Sequence, residues 1–477
     1  SWTCSQSRST FLGPLDSKAM TVETHLPPER QAWRAMFALS LGFFVSLLDQ
    51  SMVAVALPDL QRELNAGVNH TMWVSAAYLL AVVVPLLFAG RLGDVLGQRR
   101  MFCLGVGIFG LGAVACAVAP TVEVLIAARA VQGVGASLQM PQTMSVINRI
   151  FARERRGRAL GVWGVIGSVA ALAGPLAGGF LVGHFGWQAA FWVHVPFVVL
   201  AIVFALLWVP ELPTTAQSID APSAIVSLIA LAAIVFGIQQ GPVLGWGWTI
   251  WLILLAGVVA SVWFIRLQAT AQARGSSPLV PLALFSDRNY LAGSVGIIAM
   301  GFMAAAVMLP IMLWLQTMQG VPAGEAGIIV APMALVSLLI SPLAGIMADY
   351  VNPRILGVLG FSILILSLLA AWWVMQVDAL PWVLGLPIAG LGVGQSFIWG
   401  SNAATTLRDI SPELMGAASG VYNTSRQVGS VVGVALVSAV MQTGNPEAAI
   451  INSLLVIVAA LVVGLVSALG FRDTLQA

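Results

Sequence analysis

Asp49 lies within the apolar run 33–58, and Arg129 lies within another, 122–151. Charged side chains in such runs are costly to bury and persist where they pair, face a polar cavity or carry function. About 16 residues into its run, Asp49 falls roughly 24 Å along a 30 Å hydrocarbon core. The chemistry open to it is protonation, with a proton and a cationic substrate competing for one carboxylate. The plainer alternative is a structural hydrogen bond that holds the helix in place. Arg129 is the natural counter-charge, and Gln132 shares its helix face at i+3. The two together read as a proton relay or as a fixed ion pair. Arg426, in the run 414–441, has no intramembrane acid near it in the second half of the chain. His184 and His194 are candidate proton shuttles, or else interfacial anchors. Gln132, Gln139, Gln142, His194, Trp399, Asn423 and Arg426 are the candidates for lining a substrate cavity.

A second group is the segment Gly90 to Arg100, "GRLGDVLGQRR", which packs four charges and three glycines between two apolar runs. Asp94 can cap helix N–H groups near the start of the next helix, or pair with Arg91 or Arg100. Gly90, Gly93 and Gly97 permit close backbone approach. Topology alone would need the arginines but neither the Asp nor the glycines.

These residues must be positioned by membrane helices. Of 477 residues, 8% are charged and 59% apolar, with a mean hydropathy of +0.94. Soluble domains carry about a quarter charged residues. Apolar runs long enough to span a bilayer recur along the chain, and the windows number fourteen. The organisation expected is a cytoplasmic tail over 1–31, a six-helix bundle over 32–210, an inserted pair over 220–267 and a second six-helix bundle over 289–470. Met20 is read as the natural start, and the first span as an uncleaved signal anchor. With both termini cytoplasmic, every basic residue except Arg62, Arg129 and Arg426 falls on the inner side, as the positive-inside rule requires.

The halves repeat. Gly90, Asp94 and Arg99 return as Gly345, Asp349 and Arg354; "GVGASL" (133–138) returns as "GVGQSF" (392–397), and "GRALGVW" (157–163) as "GAASGVY" (416–422). Duplicated halves point to a transporter that alternates access by rocking about their interface. The copy at Gly345 to Arg354 carries fewer charges and reads as structural. A phosphate-binding loop would need a lysine, and the only one, Lys18, is in the leader. No nucleotide site, cofactor, catalytic centre or metal site is expected, so an ion gradient would supply the energy. Cys103 and Cys116, about 20 Å apart along one helix, support no disulfide.

The motifs resemble those of the major facilitator superfamily, and within it the fourteen-helix drug:proton antiporter family. "GRLGDVLGQRR" resembles the signature turn between helices 2 and 3, and "LDQSMVAVALPDL" (48–60) the helix 1 motif. "RAVQGVGASLQMP" (129–141) is similar to the helix 4 motif, "GPLAGGFLVGHFGW" (174–187) to the antiporter motif of helix 5, and "NTSRQVGSVVGVA" (423–435) to helix 13. The likeness covers residues 32–470. It departs at Gln188, where Arg is usual, and at His194, where Asn is usual. The resemblance implies protonation at Asp49 and a gating latch formed by Gly90, Arg91, Asp94, Gly97, Arg99 and Arg100. It also implies an outer seal formed by Gly174, Pro175, Gly178 and Gly179. The activity expected is proton-coupled export of lipophilic or cationic drugs by a monomer in a bacterial inner membrane. The alternatives are export of an endogenous metabolite on the same fold, or a receptor that does not transport.

Overall fold

The computed structural model describes residues 27–473 apart from 67, 215–219, 275, 277 and 442–444, so most of the expected N-terminal tail lies outside the described residues. The chain folds into helices. The first group comprises α1 (Glu29–Glu63), α2 (Val68–Val83), α3 (Leu86–Leu96), α4 (Gln98–Ala117), α5 (Val122–Ile150), α6 (Arg156–Phe185), α7 (Ala189–Trp192) and α8 (His194–Trp208). Two helices follow, α9 (Ala221–Gln240) and α10 (Trp248–Thr270). The last group is α11 (Arg288–Ala306), α12 (Met308–Leu313), α13 (Ala323–Tyr350), α14 (Pro353–Gln376), α15 (Gly385–Thr406), α16 (Met415–Met441) and α17 (Pro446–Leu469).

Local sequence fixes where the helices begin and bend. Asp287, Asn352 and Asn445 accept hydrogen bonds from the first-turn N–H groups of α11, α14 and α17. Pro353 and Pro446 follow their caps at positions where a missing N–H costs nothing. Pro85 lacks the N–H that would join α2 to α3, and the pair bends there by 46°. Gly97, with φ of 97°, takes the left-handed turn into α4.

Among the described residues eleven helices are long and apolar enough to cross a membrane, or twelve if the bent pair α2–α3 counts as one span. The sequence expectation was fourteen. The two windows not among them are α5 and α6, which at 29 and 30 residues are long enough to cross. Within the first group α1 packs on α6 and α8, α4 on α5, and α2 on α5. Within the second, α11 packs on α16, and α13 and α14 on α15. The groups meet where α3 crosses α16 and α6 crosses α13. The pair α9–α10 flanks this seam, α9 touching both α2 and α16 while α10 exposes Trp251, Leu255, Val259 and Trp263.

Candidate functional site

The long helix α1 brings Asp49 to full burial against α5, where Thr121 starts the helix and Arg129 and Gln132 lie one turn apart. Glycines allow the backbones this close. A Cβ at Gly112 would sit 2.7 Å from the Gln132 backbone, and one at Gly133 would sit 2.5 Å from the Tyr78 carbonyl oxygen. Arg129 Nη1 donates to Asp49 Oδ2 at 2.7 Å and to Gln132 Oε1 at 2.7 Å. Gln132 Nε2 donates to Asp49 Oδ1 at 2.9 Å, closing a ring of three side chains. Arg129 Nε donates to the Val74 carbonyl at 3.1 Å, and its guanidinium lies 4.1 Å from the Tyr78 ring centroid. A buried ion pair survives when further hydrogen bonds support its two charges, and here Gln132 and the Val74 carbonyl supply them. On the far side, His194 Nε2 stands 3.9 Å from Asp49 Oδ1. His194 and Gln132, expected along a cavity, are instead fully buried around Asp49.

The second site lies at the end of the molecule carrying the Gly90–Arg100 turn. The sequence placed Asp94 near the start of a helix that it could cap locally. It sits instead in the last turn of α3 and caps a helix of the other half. Gly416 N donates to its Oδ1 and Ala417 N to its Oδ2, both at 3.0 Å, at the start of α16. Arg91 Nη1, buried, is 3.7 Å from Oδ2, and Gln98 Nε2 donates to Oδ1 at 3.3 Å. Gly90 makes the crossing possible, since a Cβ there would lie 2.5 Å from the Gly416 carbonyl oxygen.

The repeated copy makes the same contact in reverse. Gly157 N donates to Asp349 Oδ1 at 2.7 Å and Arg158 N to Oδ2 at 3.0 Å, capping α6 of the first half from α13 of the second. Gly345 lies against Gly161, where a Cβ would fall 2.6 Å from the opposing Cα. Each half thus offers one aspartate to the positive end of a helix in the other. Arg153 pairs with Asp409, and Arg156 donates to the Arg408 carbonyl at 3.1 Å, across the same seam. Arg99 pairs with Glu211 inside the first half, whereas Arg100 is exposed.

The halves stay together along α6 and α13 as far as Ser168, whose hydroxyl donates to Ser337 Oγ at 3.0 Å. Past that point α6 leans on α1, with Gly178 against Met52, and Gly179 and Gly183 have no atom within 4 Å of a built Cβ. Gly174 is buried, and the side chain of Pro175 lies outside the described residues. The seam is therefore shut at the end with the caps, and at the other end of α6 Gly179 and Gly183 face open space.

The remaining cavity candidates separate. Gln139 bonds the Gly42 carbonyl and Ser46, tying α5 to α1. Gln142 Nε2 donates to the Ala89 carbonyl at 2.7 Å, behind the charged turn. Asn423 bonds the Ser419 carbonyl of its own helix. Trp399 and Arg426 are partly buried. Arg426 Nε has no hydrogen-bond partner, and among the described residues no acid pairs with it.

The profile of the Major Facilitator Superfamily matches residues 39–222 and 222–434. The chain belongs to that superfamily. It is 39% identical over 415 residues to "Uncharacterized MFS-type transporter Rv1250" of Mycobacterium tuberculosis, covering 86% of this chain and 71% of the relative. It is 30% identical over 442 residues to "Tetracenomycin C resistance and export protein" of Streptomyces glaucescens, covering 88% and 80%. Among solved structures it resembles the human organic anion transporter MFSD10 (TETRAN), with a TM-score of 0.66, 15% identity and coverage of 92% and 100%. At that identity the likeness concerns the fold. The chain is a polytopic superfamily transporter with antibiotic-export proteins among its relatives.

Proposed function

We propose that this transporter exports lipophilic or cationic amphipathic compounds in exchange for protons, alternating access between two half-molecules. One observation carries the reading. A fully buried carboxylate, Asp49, is held by Arg129 and Gln132 inside a membrane helix bundle. Such a group is kept where its charge state matters to function. The capped seam supplies the mechanical part. Two aspartates bind helix ends across the halves, so releasing both would let the halves rock open at that end.

The end with the caps is taken as cytoplasmic, because it gathers Arg91, Arg99, Arg100, Arg149 and Arg153. The conformation described is then closed inward and open outward. The membrane is the bacterial inner membrane, with both termini cytoplasmic. Fourteen spans follow if α5 and α6 are added to the twelve more apolar ones. α5 carries Arg129 and Gln132 and α6 carries many glycines, which suits helices inside a bundle rather than against lipid. No cofactor is needed, and a monomer suffices. The relative named for tetracenomycin C resistance and export gives weight to a second reading, export of a self-made antibiotic on the same machinery.

The test uses everted membrane vesicles holding a respiration-driven pH gradient. Lipophilic cations and candidate metabolites are added to wild type and to Asp49→Asn. Compounds that collapse the gradient in wild type only are the expected result, and they name the substrate class. Binding without any gradient collapse would overturn antiport.

A further inference from the structure

We infer that the proton site is built from two residues, a single proton being shared between Asp49 Oδ1 and His194 Nε2. The inference rests on the antiport reading above and adds the second partner. His194 opens α8 and is fully buried. Its Nδ1 lies 3.1 Å from the Phe191 carbonyl oxygen. A carbonyl only accepts, so Nδ1 carries the hydrogen and donates. A neutral imidazole has one N–H, which leaves Nε2 as a bare lone pair. That lone pair has no hydrogen-bond partner and faces Asp49 Oδ1 across 3.9 Å.

The carboxylate side of this gap is likewise an acceptor. Oδ1 takes one hydrogen from Gln132 Nε2 and has room for a second, while Oδ2 is held by Arg129. Two acceptors face each other in a buried pocket, and among the described residues no hydrogen bond places a donor between them. The other groups facing the gap do not fill it. Arg129 Nη1 and Nε are spent on Asp49, Gln132 and Val74, the Cys116 thiol approaches Gln132, and the Tyr78 hydroxyl has no hydrogen-bond partner. Phe109 closes the imidazole side edge-on at 5.8 Å between centroids.

One proton completes the arrangement. It comes from a hydronium ion, whose O–H bond breaks as the Nε2–H bond forms and water leaves, and an approach of about 1 Å gives a charge-assisted N–H···O bond. The Arg129–Asp49 pair persists, and the cluster passes from neutral to one net positive charge. Proton binding therefore leaves α1 tied to α5 and adds a tie from α1 to α8. His194 is a proton-holding partner of Asp49 rather than a cavity-lining residue.

The test is nitrogen NMR of the full chain with labelled histidine, which occurs only four times. The His194 signals are assigned by their loss in His194→Gln. The expected result at alkaline pH is a neutral His194 with its hydrogen on Nδ1, the reverse of the form that prevails in free histidine. On acidification Nε2 gains a hydrogen in wild type, and in Asp49→Asn at the same pH it does not. A hydrogen on Nε2 at alkaline pH would overturn the inference, and it is read from the wild-type spectrum once the signal is assigned. Proton uptake unaffected by Asp49→Asn would overturn it as well. The vesicle assay judges antiport separately, so spectra as expected without gradient collapse would refute antiport and leave the shared site standing.

Discussion

Replacing Arg129 alone would leave Asp49 buried, charged and without its guanidinium, in a pocket where, among the described residues, Gln132 is its remaining hydrogen-bond donor. Breaking one side of a buried ion pair costs about 3–5 kcal/mol, whereas replacing both sides with apolar groups of similar volume is often neutral. Arg129→Met is therefore expected to lower the thermal stability of the purified transporter sharply, and Asp49→Leu/Arg129→Met to regain most of the loss. Both variants should be inactive in the vesicle assay. Equal instability of the single and double variants would mean that the pair is not the main partner of either charge. This residue pair was legible in the sequence because charges inside apolar runs are conspicuous, and because each needs an opposite charge. His194 stood out as a possible proton shuttle by residue type and as a departure from a motif, but nothing in its spacing says that α8 starts against Asp49. Tyr78, whose ring carries the guanidinium, gave no signal, as an aromatic residue in a membrane helix is ordinary.

At the scale of helices, the informative contacts are the two caps across the seam. Local reasoning assigned Asp94 to its neighbouring helix, because a capping residue usually serves the helix that follows it. The structure sends it to α16, since Gly90 lets α3 approach Gly416 and Gly420 closely enough for the carboxylate to reach two free N–H groups. The repeat already held the clue. The glycines of 157–163 and 416–422 match each other in sequence, and in the structure each segment receives the aspartate of the opposite half. A cap contributes about 0.5–2 kcal/mol, so Asp94→Ala or Asp349→Ala should each shift the closed-to-open equilibrium at this end by roughly two- to thirtyfold towards open. The measurement is maleimide labelling of Ala348→Cys, buried in this seam, in a chain whose Cys4, Cys103 and Cys116 are replaced. Faster labelling in both variants is expected. An effect of Asp94→Ala without one of Asp349→Ala would mean that the second copy is not a working cap.

For the molecule as a whole, the two caps act on one equilibrium, because both lie across the same seam and both favour its closure. Their losses should add, as they do for separated sites without shared partners, and the double variant Asp94→Ala/Asp349→Ala should spend most of its time open at the basic end. If the halves rock as rigid bodies, opening there must close the far end, where Gly179 and Gly183 of α6 face open space. Gly179 reports on that far end, and a side chain placed there meets nothing within 4 Å. Gly179→Cys should label quickly from the outer side with the caps intact and slowly in the double cap variant, the reverse of Ala348→Cys. Opposite changes at the two cysteines are the signature of alternating access. Faster labelling at both would mean that the caps hold the bundle together rather than choose between its two openings, and the rocking mechanism would fail.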